Sequence, residues 1–181
     1  MSSPKTVFNM ASLRVLQNGD GASNLSRTMS YYTKNNLFDS PRAGIYVKKG
    51  YDTKEMSSAI FWPTYISLGY VLARAGVIFQ YDSAITCVGK ISRTIEVDGT
   101  TYVYKKINPV LWSDFKGIEQ NDGYAIATPE RAFLDMMYLY PGVNYFDNIS
   151  ALDLDRVFDL LPSYKNESLS RRVKKMFYGQ V

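Results

Sequence analysis

The side chains best suited to recognition chemistry lie close together near the amino terminus. Asn24, Arg27, Thr28, Tyr31, Lys34 and Asn35 recur at helical intervals, so a helix would present them largely on one face. They supply hydrogen-bond donors for base edges and phosphates, and no acid interrupts them. Arg42, Lys48 and Lys49 follow within Arg42-Ala43-Gly44-Ile45-Tyr46-Val47-Lys48-Lys49, which reads as a short strand pair or wing ending in two cations. A small cap whose polar helix face is merely solvated is the competing reading of the same pattern.

Charge sharpens the choice. Residues 1–50 hold Lys5, Arg14, Arg27, Lys34, Arg42, Lys48 and Lys49 against Asp20 and Asp39, a net of +5, whereas the remainder has a net of −1. All the excess positive charge of the chain is therefore in its first 50 residues. A local basic excess is the footprint of a phosphate-binding surface, although a solvated basic face that aids solubility also produces one.

Catalysis has less to draw on. The 181 residues contain no histidine and one cysteine, Cys87. That excludes Ser-His-Asp and Cys-His nucleophile pairs, histidine-bound metals and thiolate clusters. General acid–base work would fall to Asp, Glu, Lys or Tyr, and no Glu-x-Lys step follows an Asp as a nuclease would need. No catalytic residue, metal or cofactor is expected. No apolar run approaches the roughly 18 residues of a membrane span. No apolar h-region follows Met1-Ser2-Ser3-Pro4-Lys5, and a lone cysteine forms no internal disulfide. A cytoplasmic protein without a membrane partner is the expectation.

The elements that must position these residues can be read from apolar spacing. Thr6–Gln17 is loosely helical, with Val7, Phe8, Met10, Leu13 and Leu16 forming a buried stripe. Asn18-Gly19-Asp20-Gly21 is turn chemistry, and Ser23 is suited to cap a second helix over Asn24–Phe38. Leu25, Met29, Tyr32, Asn36 and Leu37 would face inward, and Asp39-Ser40-Pro41 would stop the helix. The stretch before Ser23 is short for two full helices. Residues 50–60, with Gly50, Asp52 and Ser57-Ser58, read as a connector between two domains, 1–52 and 53–181.

In the second part, Ser67 would cap an apolar helix closed by Gly76. Ile85–Gly89 and Thr94–Val97 are β-rich, and Asp98-Gly99 turns the chain into Thr101–Ile107. Cys87 is expected as a buried strand residue. Thr128-Pro129-Glu130 is a strong helix start, and Asp135 within that helix is expected to be an exposed or capping acid. Two further helices, Leu152–Leu161 and Leu169–Tyr178, would close the chain. Arg171, Arg172, Lys174 and Lys175 would complement the negative end of the last one. The fold class is α+β: an N-terminal winged helix-turn-helix, then an α+β domain with a small antiparallel sheet and C-terminal helices.

Several of these stretches resemble one family. Tyr65-Ile66-Ser67-Leu68 through Ala75-Gly76-Val77-Ile78, followed by a hairpin with an aromatic second strand, is similar to the body of AbiEi-type antitoxins. So is Ala127-Thr128-Pro129-Glu130-Arg131-Ala132-Phe133-Leu134-Asp135, while Gly44-Ile45-Tyr46 matches the end of the family's winged-helix head. The resemblance spans about residues 20 to 175, and the chain departs from it in its abbreviated first helices. It implies an antitoxin of a type IV toxin–antitoxin system with a role in abortive infection. Such a protein represses its own operon by binding double-stranded operator DNA, and its body counteracts a nucleotidyltransferase-like toxin without a stable complex. A monomer in solution that binds DNA cooperatively is expected. The family has no catalytic residues to carry over. A protein-binding module without sequence-specific DNA contact is the alternative.

Overall fold

The computed structural model describes residues 5–16, 22–80, 82–112 and 114–179. Among these the fold is α+β, with two sheets and seven α-helices. The chain opens on a strand, β1 (Val7–Asn9), and only then enters α1 (Met10–Leu16), so the helix expected from Thr6 is shorter and starts later. The reason is local. Asn9 and Ser12 exchange hydrogen bonds, each backbone N–H donating to the other's side-chain oxygen, which starts a helix at Met10.

The turn expected at residues 18–21 lies outside the described residues. Then α2 runs over Ala22–Lys34, so Ser23 lies inside the helix rather than at its cap. It ends at Asn36, whose φ of 56° is left-handed. Asn36 N–H donates to Thr33 O and Leu37 N–H to Tyr32 O, closing the last turn before Pro41 is reached. Asn36 and Leu37 are consequently exposed, not inward, whereas Leu25 and Met29 are buried as the spacing predicts. A hairpin of β2 (Asp39–Arg42) and β3 (Ile45–Val47) follows. β3 pairs with both β1 and β2, giving a three-stranded antiparallel sheet in the order β1-β3-β2.

The connector expected at residues 50–60 is instead mostly helix, α3 (Thr53–Ile60), capped by the Asp52 carboxylate on Lys54 N–H. Its Ser57 and Ser58, whose polarity predicts a linker, are buried. Next come β4 (Thr64–Ile66), α4 (Gly69–Arg74), β5 (Ile85–Gly89), β6 (Arg93–Val97) and β7 (Thr100–Lys106). Then follow β8 (Ile118–Asn121), β9 (Tyr124–Ala127), α5 (Pro129–Leu139), α6 (Leu154–Leu160) and α7 (Glu167–Tyr178). The expected small antiparallel sheet is six-stranded and mixed, ordered β6-β7-β5-β4-β9-β8, with β4/β9 and β5/β7 parallel. Ser67 does not cap α4: the N-cap position is Leu68, and the Ser67 hydroxyl points elsewhere.

Strand alternation assigns the two faces of this sheet. Tyr102 and Tyr104 hydrogen-bond the α3 carbonyls of Thr53 and Ser57, on the face that also holds Cys87. Tyr65, one residue out of step with Ile66 and its partner Cys87, points to the opposite face and meets α5. Cys87 is fully buried, and burial pushes its thiol up to about 12. The Asp98-Gly99 turn has positive φ at both residues, as the hairpin predicts.

The two sheets share one core. Val7, Ile45 and Val47 of the first sheet belong to the same apolar cluster as Met56 and the body strands. Glu55 adds a polar tie: its buried carboxylate accepts from Thr6 N–H, the Thr6 hydroxyl and Val7 N–H. Among the described residues no helix is long and apolar enough to cross a membrane.

Candidate nucleic-acid interface

Helix α2 packs against α1 and buries Leu25 and Met29, which leaves its opposite face in water. Asn24, Arg27, Tyr31, Lys34 and Asn35 are exposed there, with Tyr31 62% accessible. The centre of that face is a shallow groove lined by Ser26, Arg27, Ser30, Tyr31 and Lys34. The two serines were not singled out from the sequence. Their spacing of one and three residues from Arg27 was the available signal.

These side chains are not equally free. Thr28 is half-buried, and its hydroxyl donates to the carbonyl of Asn24 one turn back. The Asn35 amide donates to Tyr31 O, satisfying a carbonyl at the end of α2. Arg27, Tyr31 and Lys34 are thus the side chains with most reach. Each extends from a helix that is pinned from behind.

The hairpin carries the other three cations. Arg42 and Lys49 are exposed, at the end of β2 and just beyond β3. Lys48 is half-buried, its ammonium 5.6 Å from the centre of the Phe8 ring on β1. Its charge therefore rests on the first sheet while staying within reach of solvent.

The body holds a second polar constellation, which sequence reasoning missed. Arg131 and Asp135 on α5 are both fully buried and form an ion pair at 3.3 Å. The guanidinium donates to Asp135, to the Tyr65 hydroxyl and to the carbonyls of Leu111, Asp114 and Lys116. That accounts for all five of its N–H groups. The Asp135 carboxylate also accepts from the hydroxyls of Tyr65, Ser67 and Tyr164 at 2.9, 2.8 and 2.6 Å. Asp135 is therefore neither exposed nor a cap. Burial pushes its carboxyl above the ordinary value, against the pull of Arg131 and the three hydroxyls. Burial likewise holds Tyr65 and Tyr164 well above theirs, so both stay protonated as donors.

This constellation joins β4, α5, the carbonyls of Leu111, Asp114 and Lys116 and the turn at Tyr164, and its side chains are all buried. It ties these segments of the body together as a structural node. Its members include Tyr65, Ser67, Arg131 and Asp135. The available signal was an Arg and an Asp four residues apart inside the apolar run of α5. Among the described residues no group of three or more His, Cys, Asp or Glu side chains is close enough to hold a metal. No protein-family model matches the chain, and no curated protein matches it either.

Proposed function

We propose that this chain is a DNA-binding autorepressor and antitoxin of a type IV toxin–antitoxin operon, without enzymatic activity, opposing a nucleotidyltransferase-like toxin. The observation that carries the DNA-binding half is the outward face of α2, where Arg27, Tyr31 and Lys34 stand in water on a helix anchored by Leu25 and Met29. The order of elements supports a winged helix-turn-helix. Two consecutive helices are followed by a basic hairpin, and β1 closes that hairpin into a sheet behind them. In this reading α2, about 20 Å long at 1.5 Å per residue, lies in the major groove. Arg27, Tyr31 and Lys34 reach base edges and phosphates, Asn24 adds a polar contact, and Arg42, Lys48 and Lys49 hold the backbone beside the groove.

The antitoxin half rests on the family resemblance, and the buried node gives the resembling residues a shared physical task in holding the body together. A protein-binding module without DNA contact is favoured by a different observation: Phe79, Phe115 and Tyr145 of the body are large, aromatic and mostly exposed. A gel shift on the duplex upstream of the gene separates the two. Repression requires a shift that Arg27→Ala weakens. No shift, together with co-purification of the neighbouring gene product, supports the alternative and removes the repressor reading.

A further inference from the structure

A groove of about 440 Å³ runs between the first sheet and the body, apart from both the α2 face and the buried node. Val15 lines it from α1, Ser58 and Ala59 from α3, and Gln120 and Asn121 from β8, with Trp62 at its mouth. Val15 and Trp62 are 79% and 74% exposed, so an aliphatic side chain and an aromatic one both stand in water along this groove. Ser58 is 7% exposed, and its hydroxyl has no hydrogen-bond partner, an arrangement that folded proteins rarely keep without a use.

The position of the groove is set by close packing. Glu55 is tied to Thr6 and Val7, and a Cβ placed on Gly123, in the turn after β8, would lie 2.9 Å from the Glu55 Cγ. The hairpin therefore sits against α3 as closely as a glycine allows.

We propose that this groove binds a planar heteroaromatic ring with hydrogen-bonding edges, of the nucleoside class. The ring would stack on Trp62, and its edge would meet the amides of Gln120 and Asn121. An indole face stacks on any base, and an amide offers the paired donor and acceptor that base edges match. Ser58, whose hydroxyl has no partner of its own, lines the same groove. The volume lies within the roughly 300–1,000 Å³ of ordinary small-molecule sites.

Calorimetric titration of the full chain, without DNA, tests the assignment independently of the repressor reading. The probes are adenosine, guanosine, cytidine and uridine, with indole as a ring of similar shape but a poorer polar edge. At least one nucleoside binds saturably, and indole binds at least several-fold more weakly. Trp62→Ala lowers the nucleoside affinity by roughly tenfold or more, the loss of one stacked base, with an unchanged melting temperature. Ser58→Ala lowers it several-fold while leaving the melting temperature equal or higher, because an unpartnered group is deleted. Absence of saturable binding by all four nucleosides overturns the proposal. So does indole binding as tightly as the best nucleoside, or Trp62→Ala binding like the parent.

Discussion

The amino-terminal region and the body use the same kind of side chain in opposite ways. In the body, Arg131 is sealed in the core with every donor matched to a carbonyl, a hydroxyl or Asp135. On α2, Arg27 and Lys34 extend into solvent from a helix whose other face is apolar. A buried, fully bonded cation has nothing left to offer a partner, whereas an exposed cation on a fixed helix has nearly all of its charge to offer. Net charge alone does not distinguish the two. Location in the fold does, and it separates cations that hold the structure together from cations left open to a partner.

Substitutions that remove one side of this contrast at a time should differ in size and in place. Arg131→Met leaves Asp135 buried without its partner and should cost about 3–5 kcal/mol in chemical denaturation. Adding Asp135→Leu should recover part of that loss, and failure to recover any would mean that packing, not charge, holds the node. Glu55→Ala strands the amides of Thr6 and Val7 and should cost about 2 kcal/mol. Its signature is faster hydrogen exchange at those two amides while β5 and β7 stay protected. Thr128→Ala removes the cap that receives the Arg131 amide and should cost about 1 kcal/mol in the same denaturation assay. Arg27→Ala and Lys34→Ala should change stability by no more than about 0.5 kcal/mol. A large loss there would place these cations with Arg131 on the structural side.

What the sequence made legible follows the same division. Elements with their own local chemistry are where the spacing placed them: the Thr128-Pro129 start of α5, the Asp98-Gly99 hairpin, and the Leu25–Met29 face of α2. Elements that depend on distant partners were not visible. β8, Ile118-Glu119-Gln120-Asn121, has little strand propensity and exists because β9 pairs with it and lies parallel to β4. β1 reads as the start of a helix because Val7 and Phe8 fit an apolar stripe equally well, and only pairing with β3 decides it. Helix α3 was hidden by Ser57-Ser58, polar residues that signal a loop until both are found buried, with the Ser57 carbonyl accepting from the Tyr104 hydroxyl of β7. Among candidate site residues, exposure of the α2 cations was legible from periodicity. The Arg131–Asp135 node was not, because the segments it joins are far apart in the chain.

The salt dependence of the proposed DNA binding tests the exposed side of this comparison most directly. Binding of the upstream duplex, followed by fluorescence anisotropy across a range of salt concentrations, yields a slope of log affinity against log salt. Removing a phosphate-contacting cation from α2 or the hairpin should weaken binding and make that slope shallower by roughly one. Superimposable curves for the parent chain, Arg27→Ala and Lys34→Ala would contradict the account, since the exposed face of α2 would then lie away from the duplex.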